Sequence, residues 1–375
     1  MKVTVLRDNL KDGLAVVERV TIKSTSLPIL KNILLVVEKN SLELLGTDLE
    51  IGIRYQILAK SEQEGSTVIP AKLLSQLIPL LSENQVTLEV TKKGLVVKTK
   101  NHNTIIKTLG VEDFPIIPRP DNTETTVEIN TKEFCAGLNR VAGMTGKIQA
   151  RPEISGVFFS FQKDKVKLVA TDSFRLAEKT LVFEKENTIE QNFILPQKTA
   201  RELIAVLAER PGKTKIYISP NQAAFDYIPE EGSVEPHIQI VSRLIEGEYP
   251  KYQDVIPSSH TTKVTADKNE LIRQLRVASI FSGRLADVQL VVDPGKKILE
   301  LASQSTDVGE YASSLPVEVE GTRAEGAFNW KFLLEGVTQI EGSKLVLGLG
   351  GQDDPVVIRP VGQEGYVYVV MPIRA

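Results

Sequence analysis

Three segments of this chain begin alike, and this internal repeat limits the possible folds more than any other feature. Each segment reads as a short alternating strand that leads directly into a helix: Val3–Leu10, Val127–Phe134 and Val264–Leu271. In each helix three apolar positions follow at spacings of four and three residues, which places them on one helical face. They are Leu10, Leu14 and Val17, then Phe134, Leu138 and Val141, then Leu271, Leu275 and Ala278. The sequence therefore predicts three copies of one folding unit.

Other motifs recur in the same order along the copies. A strand ending in Thr-Asp stands at the same distance from the start of copies one and two, whereas copy three has only a weaker match. A Pro-x-Lys motif opens a second helix in copies one and two, and an acidic-aromatic-Pro motif follows later. The matched segments are Leu42–Asp48, Val166–Asp172 and Leu299–Gln304; Ile69–Lys72, Leu195–Lys198 and Phe328–Lys331; and Glu112–Pro115 and Gly247–Pro250.

The order of these motifs predicts three homologous domains at 1–123, 124–257 and 258–375. The period is far longer than that of solenoid repeats, so each copy is expected to own a hydrophobic core. We expect two helices and several antiparallel strands in each copy, which is an α+β class with the helices on one side of the sheets. Pro79 should break or kink the second helix of copy one, because proline lacks the N–H that a helix needs.

Composition excludes several kinds of site and partner. Lys and Arg number 45 and Asp and Glu 48 among 375 residues, a net charge of −3, so bulk charge would not hold this chain on nucleic acid. Cys135 is the only cysteine, and His102, His237 and His260 lie far apart, so we expect no disulfide, metal or cofactor. Neither a signal peptide nor a membrane-spanning apolar run is visible, which makes the cytoplasm the expected location.

Four motifs together resemble the bacterial sliding clamp, the β subunit of the replicative DNA polymerase III holoenzyme. They are Gly46–Glu50, Ala170–Leu176, Glu246–Tyr252 and Tyr368–Arg374. The resemblance implies a head-to-tail homodimer of three-domain chains, forming a six-domain ring. It implies a processivity factor without catalytic activity that encircles duplex DNA, slides along it without sequence preference and needs no cofactor. The implied protein partners are the polymerase catalytic subunit, the clamp loader and other proteins that carry clamp-binding motifs.

Basic residues in and beside the helices are the candidates for a DNA-facing surface. The lysines of the two Pro-x-Lys motifs oppose the helix dipole, so their presence indicates a requirement beyond helix stability. The resemblance adds two loops that approach DNA in clamps. The alternative for each residue is a solvated helix face. The candidates are Lys23, Lys72, Arg140, Lys147, Arg151, Lys198, Arg273 and Arg276.

The resemblance also implies a surface pocket for short peptides of partner proteins. Ser173 and Phe174 replace a Gly-His pair that is common in the family, and Asp254 stands at a position that is often basic, so an altered peptide preference is expected. The alternative for Val369 is a core strand position. The implied pocket residues are Ile154, Thr171, Ser173, Phe174, Arg175, Leu176, Pro250, Val255, Pro355, Val369, Met371, Pro372, Ile373 and Arg374.

Two further expectations concern the dimer and a competing function. Apolar residues near the ends of elements, Ile106, Ile280 and Phe281, are candidates for the dimer interface, with the intrachain core as their alternative. The competing function is a nucleic-acid-processing enzyme with a dispersed active site, in which Asp48, Glu50 and Asp172 would bind metal ions. We favour a turn role for these acids, because Thr and Asp stabilise turns through their own hydrogen bonds.

Overall fold

The computed structural model describes residues 1–21, 27–120, 125–146, 151–183, 190–230 and 236–373. These residues form two compact units. The first is built mainly from Met1–Ala136 and Lys198–Leu244, and the second from Gly137–Val182, Glu190–Gln197 and Ile245–Ala375. Copy two of the repeat therefore contributes to both units.

The helices follow the repeat, with two in each copy among the described residues. They are α1 (Arg7–Val17), α2 (Ala71–Leu77), α3 (Thr131–Ala142), α4 (Gln197–Leu207), α5 (Lys268–Phe281) and α6 (Trp330–Gln339). The predicted apolar stripes are buried: Leu10 and Val17 have no exposed surface, and Leu271 is 2% exposed. As predicted, α2 ends early, and Pro79 lies in the 3₁₀ turn Ile78–Leu80 that follows it.

Short antiparallel strands make up most of the remaining structure. Copy one contains β1 (Lys2–Leu6), β2 (Asn32–Glu38), β3 (Ser41–Thr47), β4 (Ile51–Leu58), β5 (Lys60–Gln63), β6 (Gly65–Pro70), β7 (Gln85–Thr91), β8 (Gly94–Lys98) and β9 (Asn103–Ile106). Copy two contains β10 (Thr125–Asn130), β11 (Gly156–Phe161), β12 (Lys165–Thr171), β13 (Arg175–Val182), β14 (Asn192–Pro196), β15 (Lys213–Ile218), β16 (Gln222–Ile228) and β17 (His237–Arg243). Copy three contains β18 (Thr262–Asp267), β19 (Asp287–Asp293), β20 (Ile298–Ser305), β21 (Gly309–Pro316), β22 (Glu318–Gly321), β23 (Ala324–Asn329), β24 (Lys344–Leu349), β25 (Val356–Pro360) and β26 (Tyr366–Val370). The α+β class predicted from the sequence is confirmed.

Two large sheets are each shared between neighbouring copies. In the first unit the order β10-β15-β16-β17-β4-β3-β2-β6 joins four strands of copy two to four of copy one. In the second unit the order β14-β11-β12-β13-β26-β25-β24-β18-β22 joins copy two to copy three. The junctions have the same register: Ile51 faces Ser242 in the first sheet, and Arg175 faces Val370 in the second. The copies are thus joined in the same way twice.

The two remaining sheets each belong to one copy. Copy one forms the sheet β5-β1-β7-β8-β9, and copy three forms the sheet β21-β20-β19-β23. By the repeat, β9 corresponds to β17 and β26, whereas β21 corresponds to β4 and β13. Among the described residues, β9 and β21 are edge strands, although their counterparts pair with a neighbouring copy. Each terminal sheet therefore presents an edge of the kind that joins copies elsewhere in the chain.

Candidate functional site

A tight turn between β12 and β13 forms one wall of the candidate site in the second unit. The Asp172 carboxylate accepts the backbone N–H groups of Phe174 at 3.0 Å and Arg175 at 3.1 Å. The Thr171 hydroxyl donates to the Arg175 carbonyl at 2.7 Å, and Ser173 between them has φ of +76°. The Thr-Asp motif is therefore a turn that holds β13 in place.

The same turn occurs in the first unit. The Asp48 carboxylate accepts the N–H groups of Glu50 at 2.9 Å and Ile51 at 2.7 Å, and Leu49 also has φ of +76°. The expectation that these acids stabilise turns agrees with both sets of hydrogen bonds. In the part of the chain that the structure describes, no group of three or more His, Cys, Asp or Glu is placed to hold a metal ion.

A cleft with a volume of about 200 Å³ opens beside the turn at Thr171. We call it the partner cleft. It is bounded by this turn, by the 3₁₀ turn Tyr252–Val255 and by the end of β26. Leu176 and Val369 are almost completely buried at its base, whereas Val255 remains 41% exposed. An apolar base with a few polar groups at the rim is the usual form of a ligand site.

Most of the predicted pocket residues meet in this cleft. Those that line it are Ile154, Thr171, Ser173, Arg175, Leu176, Pro250, Val255, Val369 and Met371. Val369 also occupies a core strand position, which was its alternative role. This residue is fully buried and belongs to the same apolar cluster as Leu176 and Tyr252. Val369 thus supplies the base of the cleft rather than its rim.

Four predicted pocket residues lie outside the lining of the cleft. The side chain of Phe174 is 59% exposed, and this residue supports the cleft through its backbone: its N–H donates to Asp172 and its carbonyl accepts the Met371 N–H at 2.8 Å. Pro372 forms an isolated antiparallel β-bridge with Phe328, and the Ile373 N–H donates to the Ala327 carbonyl at 2.8 Å. The chain therefore turns away from the cleft towards β23. Pro355 is half-buried before β25. The predicted residue Arg374 lies outside the described residues.

Three further residues line the cleft that the sequence prediction did not place there, namely Arg151, Lys251 and Tyr252. Arg151 was predicted to face DNA, but it pairs with Glu153 at 3.1 Å and donates to the Ser173 hydroxyl at 3.4 Å, on the cleft rim. Lys251 and Tyr252 follow Pro250 directly, so the motif Glu246–Tyr252 carried the signal that could have identified them.

Tyr252 is anchored from below by a buried polar network. Its hydroxyl donates to Glu178 at 2.7 Å, and Lys167 lies 3.2 Å from the same carboxylate. Burial and the adjacent Glu178 raise the pKa of Tyr252 far above its usual range. The ring packs edge-on against Tyr249 and Phe158, with centroids 6.3 Å away in both cases. This network fixes one wall of the partner cleft.

We expect Glu178→Gln to destabilise the fold by about 1–3 kcal/mol, because it removes the charge-assisted bonds to Tyr252 and Lys167 in a buried place. Chemical denaturation of the purified protein measures the effect. Glu320→Gln, on an exposed part of β22, is the matched control and should leave the midpoint unchanged. Equal stability of the two variants would show that the network does not hold the wall.

Arg175 is also held in place by its own partners. Its guanidinium lies 3.0 Å from Asp172, pairs with Glu335 and stacks over the Phe332 ring at 4.5 Å from the centroid. Only 10% of the side chain is exposed. Arg175 therefore presents a fixed positive edge to the cleft.

The predicted DNA-facing residues have very different surroundings. Arg140 does not suit that surface: its side chain is 12% exposed, pairs with Glu341 and lies over the Tyr366 ring. Copy three supplies both partners, so the sequence near Arg140 gave no sign of them, and we correct this expectation. Lys198 is half-exposed but pairs with the buried carboxylate of Asp48.

The remaining basic candidates are exposed or lie outside the described residues. Lys72 and Arg276 are exposed, and neither forms an ion pair with any residue that the structure describes. Arg273 is 73% exposed and pairs with Glu270 one turn earlier on α5. Lys23 and Lys147 lie outside the described ranges.

The candidate dimer residues also differ from one another. Ile106 is 2% exposed and contributes to the core of its own sheet, so it cannot offer its side chain to a partner, and we correct this expectation. The adjacent Ile105 is 50% exposed, because successive side chains of a strand point to opposite faces. Ile280 is 63% exposed at the end of α5, and Phe281 stacks on Tyr311 of β21 with centroids 5.8 Å apart.

Comparison with known families and structures adds an independent finding. The DNA polymerase III beta subunit is matched in three parts: its N-terminal domain over residues 1–118, its central domain over 128–251 and its C-terminal domain over 253–374. Within the described residues, no helix is long and apolar enough to cross a membrane.

Relatives match along the whole chain. The beta sliding clamp of Synechococcus elongatus is 27% identical over 385 aligned residues, covering 100% of this chain and 99% of that protein, and the beta sliding clamp of Streptomyces coelicolor is 26% identical over 381. Among solved structures, the beta subunit of DNA polymerase III from Thermotoga maritima is 27% identical with a TM-score of 0.89, and it covers 100% of this chain and 99% of that one. The sliding clamp from Bacillus subtilis is 23% identical with a TM-score of 0.92 and the same coverage. The chain belongs to the DNA polymerase III beta subunit family, the bacterial beta sliding clamps.

Proposed function

We propose that this protein is the processivity factor of a bacterial replicative DNA polymerase. It encircles duplex DNA, slides along it and tethers the polymerase catalytic subunit, the clamp loader and other proteins through the partner cleft. The observation that carries this proposal is the match of all three domains to one family, together with the repeated junctions β17–β4 and β13–β26. The protein acts as a non-catalytic subunit, and the comparisons do not favour the competing nuclease.

The free sheet edges support a head-to-tail homodimer. Strand β9 corresponds to the strands that receive a neighbour at the two internal junctions, and β21 corresponds to the strands that supply one. Pairing β9 of one chain with β21 of a second would repeat the same junction at both ends of the dimer. Six domains, with boundaries near residues 123 and 257 in each chain, would then close into a ring without a free edge.

The apolar side chains next to these edges lead to a test of the dimer. We expect Ile280→Asp to weaken dimerisation roughly thirtyfold, because it removes about 2 kcal/mol of apolar burial and adds a charge at the interface. Sedimentation equilibrium measures the change. Ile116→Asp, at an isoleucine that is 93% exposed in the first unit, is the control and should dimerise normally. A monomer in the unsubstituted protein at micromolar concentration would contradict the head-to-tail assembly.

Arg276 on α5 is the clearest candidate for contact with DNA phosphates. It is exposed and has no ion-pair partner among the described residues. We expect Arg276→Glu to weaken the binding of short duplexes and to lower the slope of log K against log salt by about 1–2. Arg323→Glu, which reverses a 65% exposed charge outside the helices, should leave the slope unchanged. Equal slopes for both variants would exclude α5 from the DNA surface.

A further inference from the structure

A second cavity of the second unit lies over β18, β24 and β25, and we call it the basic cavity. It has a volume of about 530 Å³ and shares no lining residue with the partner cleft. Three of its lining residues, His260, Lys263 and Arg359, are basic, and Ser258 and Ser259 add hydroxyl groups. None of the described residues that line it is Asp or Glu. The cavity therefore combines donors and positive charge without a carboxylate of its own.

The strand register explains why these groups converge. Lys263 of β18 pairs with Gly348 of β24, and Gly348 pairs with Val357 of β25. Because side chains two residues apart on a strand share a face, Arg359 lies on the same face as Val357. Val346 shares that face through its pairing with Arg359. The half-buried Val346 and two cations are thus set side by side on one surface of the sheet, whereas Val357 is buried.

Gly348 brings the imidazole into this arrangement. A Cβ atom at this position would lie 2.5 Å from Cδ2 of His260 and 2.6 Å from Nε2. The ring can therefore rest on the sheet only because residue 348 has no side chain. Gly348 thus places a third basic group above the floor of the cavity.

Glu320 of β22 faces Lys263 of β18 in the strand register, but the two residues do not form an ion pair. Neither Lys263 nor Arg359 forms an ion pair with any residue in the described ranges. Burial, Arg359 and Lys263, in that order, lower the pKa of His260, and no carboxylate acts in the opposite direction. An anion bound here would gain from the two cations and would favour the protonated form of His260, which burial and these cations now disfavour.

We propose that the basic cavity binds an acidic peptide segment of a partner protein, with carboxylates on Lys263 and Arg359 and an apolar side chain on the half-buried Val346 and Pro257. None of the described lining residues is Phe, Tyr or Trp, the side chains on which nucleobases stack, so the cavity favours a peptide over a single-stranded nucleic acid. The serine hydroxyls can donate to the same carboxylates. The basic cavity shares no lining residue with the partner cleft, although Val357 packs in the same buried cluster as Leu176 and Val369.

The three histidines allow a direct test by NMR. The probe is the peptide acetyl-Leu-Glu-Leu-Glu-amide, and its Gln counterpart acetyl-Leu-Gln-Leu-Gln-amide is the matched control. We expect the acidic peptide to shift the His260 ring signals and to raise the pKa of His260, because a carboxylate stabilises the imidazolium. The signals of His102 and His237 should not move. Affinity should therefore increase as pH falls through the pKa of His260.

Variants locate the binding within the cavity. Arg359→Gln and Lys263→Gln should each weaken the acidic peptide at least tenfold, whereas Arg323→Gln and the partner-cleft variant Met371→Ala should bind it normally. Gly348→Ala should also weaken binding, because it displaces the imidazole. Circular dichroism checks that every variant is folded. If Gly348→Ala does not fold, the two charge variants still test the proposal.

Several results would overturn the proposal. His260 signals that stay constant with the acidic peptide at millimolar concentration would show that the cavity does not bind it. Equal binding of the Gln peptide would show that charge plays no part. Binding of inorganic phosphate or of a ten-residue oligothymidylate as tightly as the peptide would reassign the site to phosphate groups.

Discussion

After loading onto a nicked circular duplex, the protein is expected to remain bound at high salt and to dissociate when the circle is cut. Direct contacts alone cannot give this result, because the net charge is −3 and phosphate contacts weaken by orders of magnitude as salt rises. A closed ring is held instead by topology, which salt does not affect until the ring itself opens. Gel filtration of labelled protein on circular and linearised DNA, after treatment with a clamp loader, measures retention.

Two variants distinguish topological retention on DNA from retention by direct contacts with DNA. Arg276→Glu should load less efficiently but, once loaded, should remain on the circle like the unsubstituted protein. Ile280→Asp should be lost from the circle, since a weakened dimer opens the ring. Equal retention on circular and linear DNA would show that contact chemistry holds the protein, and would contradict the encircling function.

The repeat allowed much of the fold to be predicted from the sequence. The apolar stripe of α1 and its counterparts are local patterns, and the early end of α2 follows from one residue, Pro79. The turn role of Asp48 and Asp172 was likewise predictable, because Thr and Asp make these hydrogen bonds within a few residues of themselves. Features that depend on neighbouring residues could thus be predicted directly.

Features that depend on distant residues could not be predicted in this way. Arg140 reads as an exposed helix charge, yet Glu341 and Tyr366 of copy three enclose it. Ile106 lies in a strand of only four residues, where nothing in the sequence fixes which face is buried, and a shift of one residue reverses the faces. The C-terminal motif placed Met371 at the cleft, but the turn after it carries Pro372 and Ile373 away towards β23.

A substitution in the partner cleft is expected to cause a large loss of peptide affinity. A fluorescein-labelled peptide with an early Gln and a later Leu-Phe pair is expected to bind there, and Val255→Asp should reduce its affinity by about a hundredfold or more, because it puts a charge among the apolar anchors of the peptide. Val255 is 41% exposed, so its replacement should leave the core intact. Fluorescence anisotropy measures the affinity, and Val361→Asp, at a 46% exposed valine outside the cleft, is the matched control.

A milder variant tests whether the end of β26 carries a share of the binding energy. Met371→Ala should weaken the peptide by about 1–3 kcal/mol, the usual effect of truncating one wall around a buried anchor. The backbone N–H of Met371 still donates to Phe174 in this variant, so the turn that shapes the cleft is retained. Folded Val255→Asp and Met371→Ala proteins that bind as tightly as the unsubstituted chain would eliminate the cleft as the peptide site. Because the exposed ring of Phe174 stands beside the cleft rather than in it, a peptide array should show an altered preference only at residues that extend beyond the anchors. If the array ranks peptides in the same order as a clamp that has Gly-His at positions 173 and 174, Phe174 has no role in peptide preference.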